Sequence, residues 1–187
     1  MHGVLTQRKA SDASGLDHAA VSPTFQRRLL ISAAIDAVDA QALVDSARAL
    51  RRAAADTPAR LRGKNIALLC MQPGGERARR FDDAAAALGA RVAHITPAPN
   101  WLYGDAPLGP ETARLLEHLY DAVDCEELPA GFAQRLQAQL AVPVFDGLAC
   151  DDHPVFELLS RVAEQGQVPG DDDRRALLQA TLVSGLP

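Results

Sequence analysis

Residues 65–95 read "NIALLCMQPGGERARRFDDAAAALGARVAHI", and this stretch decides the fold. "NIALLC" is a short, continuous apolar run, suited to a strand buried on both faces. "MQPGG" breaks it. The following segment places Ala78, Phe81, Ala85 and Leu88 on one helical stripe, and Gly89 stands where a helix commonly stops. "RVAHI" then reads as a second strand. Strand, turn, helix and strand in that order predict a parallel pair with a right-handed crossover.

The pattern continues outward. Upstream, "DAQALVDSARALRR" carries Leu43, Ala47 and Leu50 at helical spacing, with Asp39 as the expected N-cap. Downstream come a Pro-rich loop, "TPAPNWLYGDAPLGP", a helix in "ETARLLEHL", a third strand in "YDAVDC", a helix in "AGFAQRLQAQL" and a fourth strand in "VPVFDG". "HPVFELLSRVAE" reads as a helix with Pro154 in its first turn, where a missing N–H costs nothing. After "QGQVPG", the chain closes with "DDDRRALLQATLVSG". This closing helix, about residues 171–184, has acids in its first turn and Leu177, Leu178, Thr181 and Leu182 on one face. The expectation is an α/β fold: a single three-layer domain over residues 22–187, with a four-stranded parallel sheet flanked by helices. The C-terminal helix is expected to pack back on the domain. Residues 1–21 are small, polar and unpatterned, and read as a disordered tail. There is no internal repeat.

Composition narrows the function classes. Hydrophobic residues make up 48% of the 187 but aromatics only 4%, so Ala, Leu and Val must build the core, as in helices laid on a sheet. A net charge of −5 and a pI near 5.5 argue against nucleic-acid or anionic-membrane partners. No apolar run reaches the ~20 residues of a membrane span, and "MHGVLTQRKASDASGLDHAAVSP" lacks a signal-peptide core. A cytoplasmic location is therefore expected. Cys70, Cys125 and Cys150 show no CxxC spacing and read as reduced packing thiols. No metal and no cofactor are expected.

In parallel sheets, ligands bind beyond the carboxyl ends of the strands. The turn after Cys70, the Pro-rich loop and the segment around His153 all follow strands and can share one edge. Two readings of the turn stand side by side. In one, Gly74 and Gly75 present backbone amides at a helix N-terminus, and Arg77 and Arg79 complete a substrate or anion site. In the other, the arginines are solvated and pair with Glu76, Asp82 or Asp83. His153 is the candidate catalytic acid/base or polarising residue; its alternative role is to cap the strand-to-helix turn. Trp101 and Tyr103 either contact a neighbouring subunit or cover the base of their own loop.

Taken together, these blocks resemble the carbamoyl-phosphate-binding domain of the aspartate and ornithine carbamoyltransferases. "LRGKNIALLCMQPGGERARRFDDAAAALGARV" is similar to the family's strand, phosphate turn and helix. "ETARLLEHLYDAV" is similar to "DTARVL…YDAI", and "VPVFDGLACDDHP" to the ornithine branch's "VPVxNGLxDxxHP". The final segment resembles the family's closing helix, which returns after a second, acceptor-binding domain. Here "ELLSRVAEQGQVPG" leads directly into "DDDRRALLQATLVSG", so that second domain is missing. The resemblance implies a trimer of first domains, and hence a homo-oligomer or a protein partner for this chain.

The departures from the family are specific. Its phosphate turn reads Ser-Thr-Arg-Thr-Arg; anchoring on Pro73, Phe81 and Leu88-Gly89 puts "GGERA" there, with Glu76 at the first arginine. A register shifted by one residue keeps Arg-x-Arg as Arg77 and Arg79. An arginine expected after the third strand is replaced by acid, Glu126. Phe156 stands for the glutamine of His-Pro-x-Gln, and Cys150 for the Asp of "GLxD". Losing two or three charge-assisted hydrogen bonds forfeits roughly 3–9 kcal/mol, against ~8 kcal/mol for micromolar binding. The implied function is a non-catalytic carbamoyltransferase-like domain acting through assembly or protein contact. The alternatives are a transferase using carbamoyl or acyl phosphate with a partner's acceptor site, and a small-anion-binding protein.

Overall fold

The computed structural model describes residues 35–53, 59–104, 108–164 and 166–186; the expected tail, residues 1–21, lies outside them. Four parallel strands form one sheet: β1 (Asn65–Cys70), β2 (Arg91–Ile95), β3 (Ala122–Glu126) and β4 (Val144–Phe145), in the order β2-β1-β3-β4. The α/β sheet expected from the sequence is present, and helices cover both its faces. Ile66, Leu68 and Cys70 point to one side of β1, with Ala67 and Leu69 on the other. Both sets are apolar because neither face meets water.

One face is covered by α1 (Ala37–Arg52), α2 (Glu76–Ala87) and the closing helix, which we number α7 (Asp171–Gly185). The other is covered by α3 (Pro99–Tyr103), α4 (Pro110–Leu119) and α5 (Phe132–Gln137). Between β4 and α7, a 3-10 turn (Pro154–Leu158) runs into the single-turn helix α6 (Leu159–Val162).

Several boundaries differ from the expected ones. The N-cap of α1 is Asp36, not Asp39: Asp36 is extended and its carboxylate accepts the Asp39 N–H at 3.0 Å, so Asp39 belongs to the first turn. The Pro-rich loop contains α3, started by Pro99 in the first turn. The third strand runs two residues later at its start and includes Glu126, because β3 follows β1 in register up to Cys70↔Glu126. The fourth strand is only two residues long. Pro154 opens a 3-10 turn rather than an α-helix.

The largest difference concerns α7. One apolar face was expected, yet residues 176–182 are buried without interruption, Gln179 and Thr181 included. The helix packs along α1 on one side and against α2 and the sheet-side cluster on the other. Its polar residues are answered locally. Gln179 donates to the Ala84 carbonyl at 3.2 Å, and the Thr181 hydroxyl to the Leu177 carbonyl at 2.9 Å. Its start is fixed by Asp173, whose carboxylate accepts the Gly170 N–H at 2.9 Å and pairs with Arg51 at 3.2 Å.

At the other end of α7, Gly185 lies against the fully buried ring of Phe145 on β4. A Cβ there would stand 2.5 Å from Phe145 Cζ and 2.7 Å from Cε1. Gly185→Ala is therefore expected to destabilise the fold by ~1–3 kcal/mol, as overpacking does. The urea midpoint measures this, and an unchanged midpoint would show that α7 does not approach the sheet so closely.

Candidate functional site

The carboxyl edge of the sheet carries one loop after each strand, and three of them form the candidate site: residues 71–75 after β1, 127–131 after β3 and 146–153 after β4. In the first, Gly74 has φ of +84°, a conformation that favours glycine. Gly75 is the N-cap of α2, and no side chain caps that helix. A Cβ on Gly75 would stand 3.1 Å from the Gln72 carbonyl oxygen, which accepts the Gly75 N–H. The turn thus has the shape that the Gly-Gly pair implies.

Its arginines are turned to partners within the chain. Arg77 pairs with Glu127 at 3.2 Å. Arg79 donates to the Gly74 carbonyl, its own turn. Arg80 makes the most contacts: Glu76 at 3.1 Å, Asp151 at 2.8 Å and the Ala149 carbonyl at 3.1 Å. Arg174 of α7 reaches Asp151 as well, at 3.2 Å, and lies over the Phe156 ring. Arg80 hydrogen-bonds Asp151 and holds its carboxyl below the usual range. Of the acids expected to pair with the arginines, Glu76 does so, whereas Asp82 faces His94 at 2.9 Å.

The loop after β4 is tied to β3 by two buried acids. Asp124 accepts the Leu148 N–H at 3.2 Å, and Glu126 accepts the Ala149 N–H at 2.7 Å and the Cys150 thiol at 3.3 Å. Residues two apart on a strand share a face, so Asp124 and Glu126 stand together, both essentially inaccessible to water. Burial, and then the charge of Glu126, push the Asp124 carboxyl well above the ordinary range. The alternation in "AVDCE" was the signal for this pair, and it was overlooked; so was the linking role of Arg80.

His153 is buried. Its Nδ1 accepts the Val155 N–H at 3.2 Å, which caps the 3-10 turn and places the proton of the neutral ring on Nε2. Nε2 meets no partner among the described residues. Burial lowers the His153 pKa to about 4, so the ring is neutral at pH 7. Arg80 joins the turn to the loop leading into His153. Trp101 packs on the core of the opposite face, and Tyr103 beside it is 80% exposed. The three thiols are free; Cys70 and Cys125 are buried, and desolvation first, then Glu126, pushes Cys150 up to about 12. Among the described residues no cluster of His, Cys, Asp or Glu is placed to hold a metal, and no helix is long and apolar enough to cross a membrane.

These groups set two pH dependences of opposite sign. For His153 the folded pKa lies below the unfolded value, so its contribution is present above about pH 6.5 and is lost as pH falls toward 4, about 3 kcal/mol in all. Asn at 153 retains an acceptor for the Val155 N–H without a titrating ring, so His153→Asn should flatten the acid side of a stability–pH profile. For Asp124 the folded pKa is raised, so stability is full below the ordinary carboxylate range and declines as pH climbs through the folded value. Asp124→Asn should therefore lose less thermal stability than the parent as pH rises above the ordinary carboxylate range. Parallel profiles for parent and variant would contradict either assignment.

Comparison with known proteins places this arrangement. No family model matches the chain. It is 35% identical over 144 residues to a catabolic ornithine carbamoyltransferase of Burkholderia mallei, covering 73% of this chain and 41% of that protein. It is also 35% identical over 114 residues to the ornithine carbamoyltransferase of Actinobacillus pleuropneumoniae serotype 5b, covering 60% and 34%. The chain thus spans well under half the length of these curated relatives. In fold it is similar to aspartate transcarbamoylase from Trypanosoma cruzi in complex with N-(phosphonacetyl)-L-aspartic acid, with TM-score 0.54, 18% identity and coverage of 72% and 43%. Ornithine carbamoyltransferase from Pyrococcus furiosus follows, with TM-score 0.52, 19% identity and coverage of 71% and 44%.

Proposed function

The chain belongs to the aspartate and ornithine carbamoyltransferase family over part of its members' length, and from that premise we propose that it is a non-catalytic relative, a cytoplasmic domain that acts through oligomer assembly or protein contact. One observation carries the reading. Each arginine of the turn that would grip a phosphate is bonded to an acceptor of the chain itself: Glu127, the Gly74 carbonyl, or Glu76 with Asp151 and Ala149. The position at which the resemblance puts a further arginine is Glu126, buried and committed to the Ala149 amide and the Cys150 thiol. An incoming phosphate would have to break these contacts and then face the acids that made them.

The contact surface also supports this reading. Tyr103 is 80% exposed, and Leu115 and Leu119 of α4 are 56% and 48% exposed. Leu115 and Leu119 are four residues apart and therefore share a helix face. A second copy of the chain laid there removes them from water, and a homotrimer is the assembly that the family resemblance favours.

A second reading, binding of a small anion or of carbamoyl or acyl phosphate with an acceptor site on a partner, has its own support. Gly74 and Gly75 keep a turn free of side chains, α2 has no side-chain cap, and the Arg77–Glu127 pair is more than a third exposed on both sides, although the Gly75 N–H itself is donated to the Gln72 carbonyl. Such a pair is worth only ~0–1 kcal/mol, so an anion at the turn displaces it cheaply.

Two measurements separate the readings. Calorimetry with carbamoyl phosphate or inorganic phosphate at millimolar concentration is expected to give no saturable heat. A titration that saturates, and that weakens in Arg77→Ala or Arg79→Ala, would establish the anion site instead. Sedimentation at tens of micromolar should show an oligomer that Leu115→Glu or Leu119→Glu dissociates; a strict monomer would contradict assembly through this surface.

A further inference from the structure

A cleft of about 700 Å³ opens between α1, α2, α6 and α7, within the size range of small-molecule sites. It shares no lining residue with the Gly74–Arg80 turn or with His153. Its lining is divided by chemistry. Exposed Ala87 and the aliphatic stems of the lining arginines give it an apolar part, above Leu50, Val162 and Ala176, which are almost fully buried. Four arginines, Arg48, Arg51, Arg52 and Arg175, give it a cationic part.

The arginines are not equivalent. Arg48 is fixed by donation to the Arg161 carbonyl at 2.6 Å. Arg51 is held by Asp173 at 3.2 Å and Glu164 at 3.7 Å. Arg52 and Arg175 have no hydrogen-bond or ion-pair partner among the described residues. Two acids also line the cleft: Glu164, engaged with Arg51, and Asp172 on the exposed start of α7. The balance of four cations to two anions stands out in a chain whose net charge is −5. Guanidinium groups present paired N–H donors that match carboxylate, sulfonate and phosphate oxygens. Beside an apolar wall, they select an anion that carries an apolar body.

We infer that this cleft binds an amphipathic oxyanion, with its apolar body against Ala87 and the aliphatic stems of the lining arginines and its charged group at Arg52 and Arg175. The inference does not depend on whether the turn holds phosphate. Two sources share this chemistry, an aliphatic carboxylate and a nucleoside phosphate.

The test uses the full chain at neutral pH and 8-anilinonaphthalene-1-sulfonate, a probe with an apolar body and one sulfonate whose fluorescence rises on leaving water. A saturable, single-site rise with the folded protein is expected. The double variant Arg52→Ala, Arg175→Ala should weaken it by about ten-fold or more, the scale of lost charge-assisted contacts. Arg91→Ala with Arg114→Ala, which removes two exposed arginines outside the cleft, should leave it unchanged. Circular dichroism and melting of all variants establish that the probe reads the native state. Competition with decanoate or with adenosine monophosphate identifies the source, and displacement by either supports the site. No saturable signal, a signal indifferent to Arg52 and Arg175, or one displaced by neither competitor would overturn the inference.

Discussion

The structure depends on the burial of α7. Seven consecutive residues of a helix, 176–182, lie out of water, which occurs only when neighbours cover every side. Here α1 covers one side, while α2, the 3-10 turn and the sheet-side cluster cover the rest. Leu177, Leu178 and Leu182 are fully buried; each such side chain contributes ~1.5–3 kcal/mol, and several of them rival a domain's whole net stability. Two details follow from this position. Gln179 and Thr181 must find partners because water cannot reach them, and Gly185 must be small because Phe145 lies against it. The last helix in the chain is therefore an interior one, and without it α1, α2 and Phe145 of β4 would each lose a buried partner.

A second organising feature is the internal use of charge at the carboxyl edge of the sheet. Backbone amides and guanidinium groups that could meet a ligand there meet Asp124, Glu126, Glu127 and Asp151 instead. Asp124 and Glu126 are deep, so the arrangement is expensive to disturb: a buried acceptor that loses its donor costs ~1–3 kcal/mol. The exposed Arg77–Glu127 pair, by contrast, costs little to open. The edge thus has a rigid half, formed by β3 and the loop after β4, and a soft half, formed by the glycine turn. This contrast is what separates the proposed non-catalytic role from the anion-binding alternative.

Much of this was legible in the residues. "NIALLC" followed by Pro-Gly-Gly and an amphipathic helix specified the β1–α2–β2 unit, because a continuous apolar run and a helical stripe are strong local signals. Gly89 ended α2 as expected, with φ of +82°. The misreadings occurred where tertiary contacts override local pattern. Asp39 looked like a cap because it precedes the apolar positions, but Asp36 has the extended backbone that a cap requires. Only the leucines and Thr181 of α7 suggested a face, since its alanines are silent in a periodicity count yet bury as completely. At the site, Gly74 takes the positive φ a glycine allows, but the Gly75 amide expected to face an anion donates to the Gln72 carbonyl. Arg77 and Arg79 were named but Arg80 was not, because its partners beyond Glu76, namely Asp151 and the Ala149 carbonyl, are distant in sequence. Asp124 stayed invisible for a related reason: a carboxylate in a strand reads as solvent-facing until the loop that covers it is known.

The link from α6 to α7 has a consequence of its own. Glu164 and residues 166–172 are exposed, whereas Ala163 before them and Asp173 after them are buried. Arg51 reaches across from α1 to Glu164 and to Asp173, so both banks of the link are moored to one guanidinium. Closing a longer excursion there costs only ~0.6 kcal/mol for each doubling of its length. The junction therefore tolerates extra length at small entropic cost, because α7 beyond it is held by its own contacts with α1 and α2 rather than by the link.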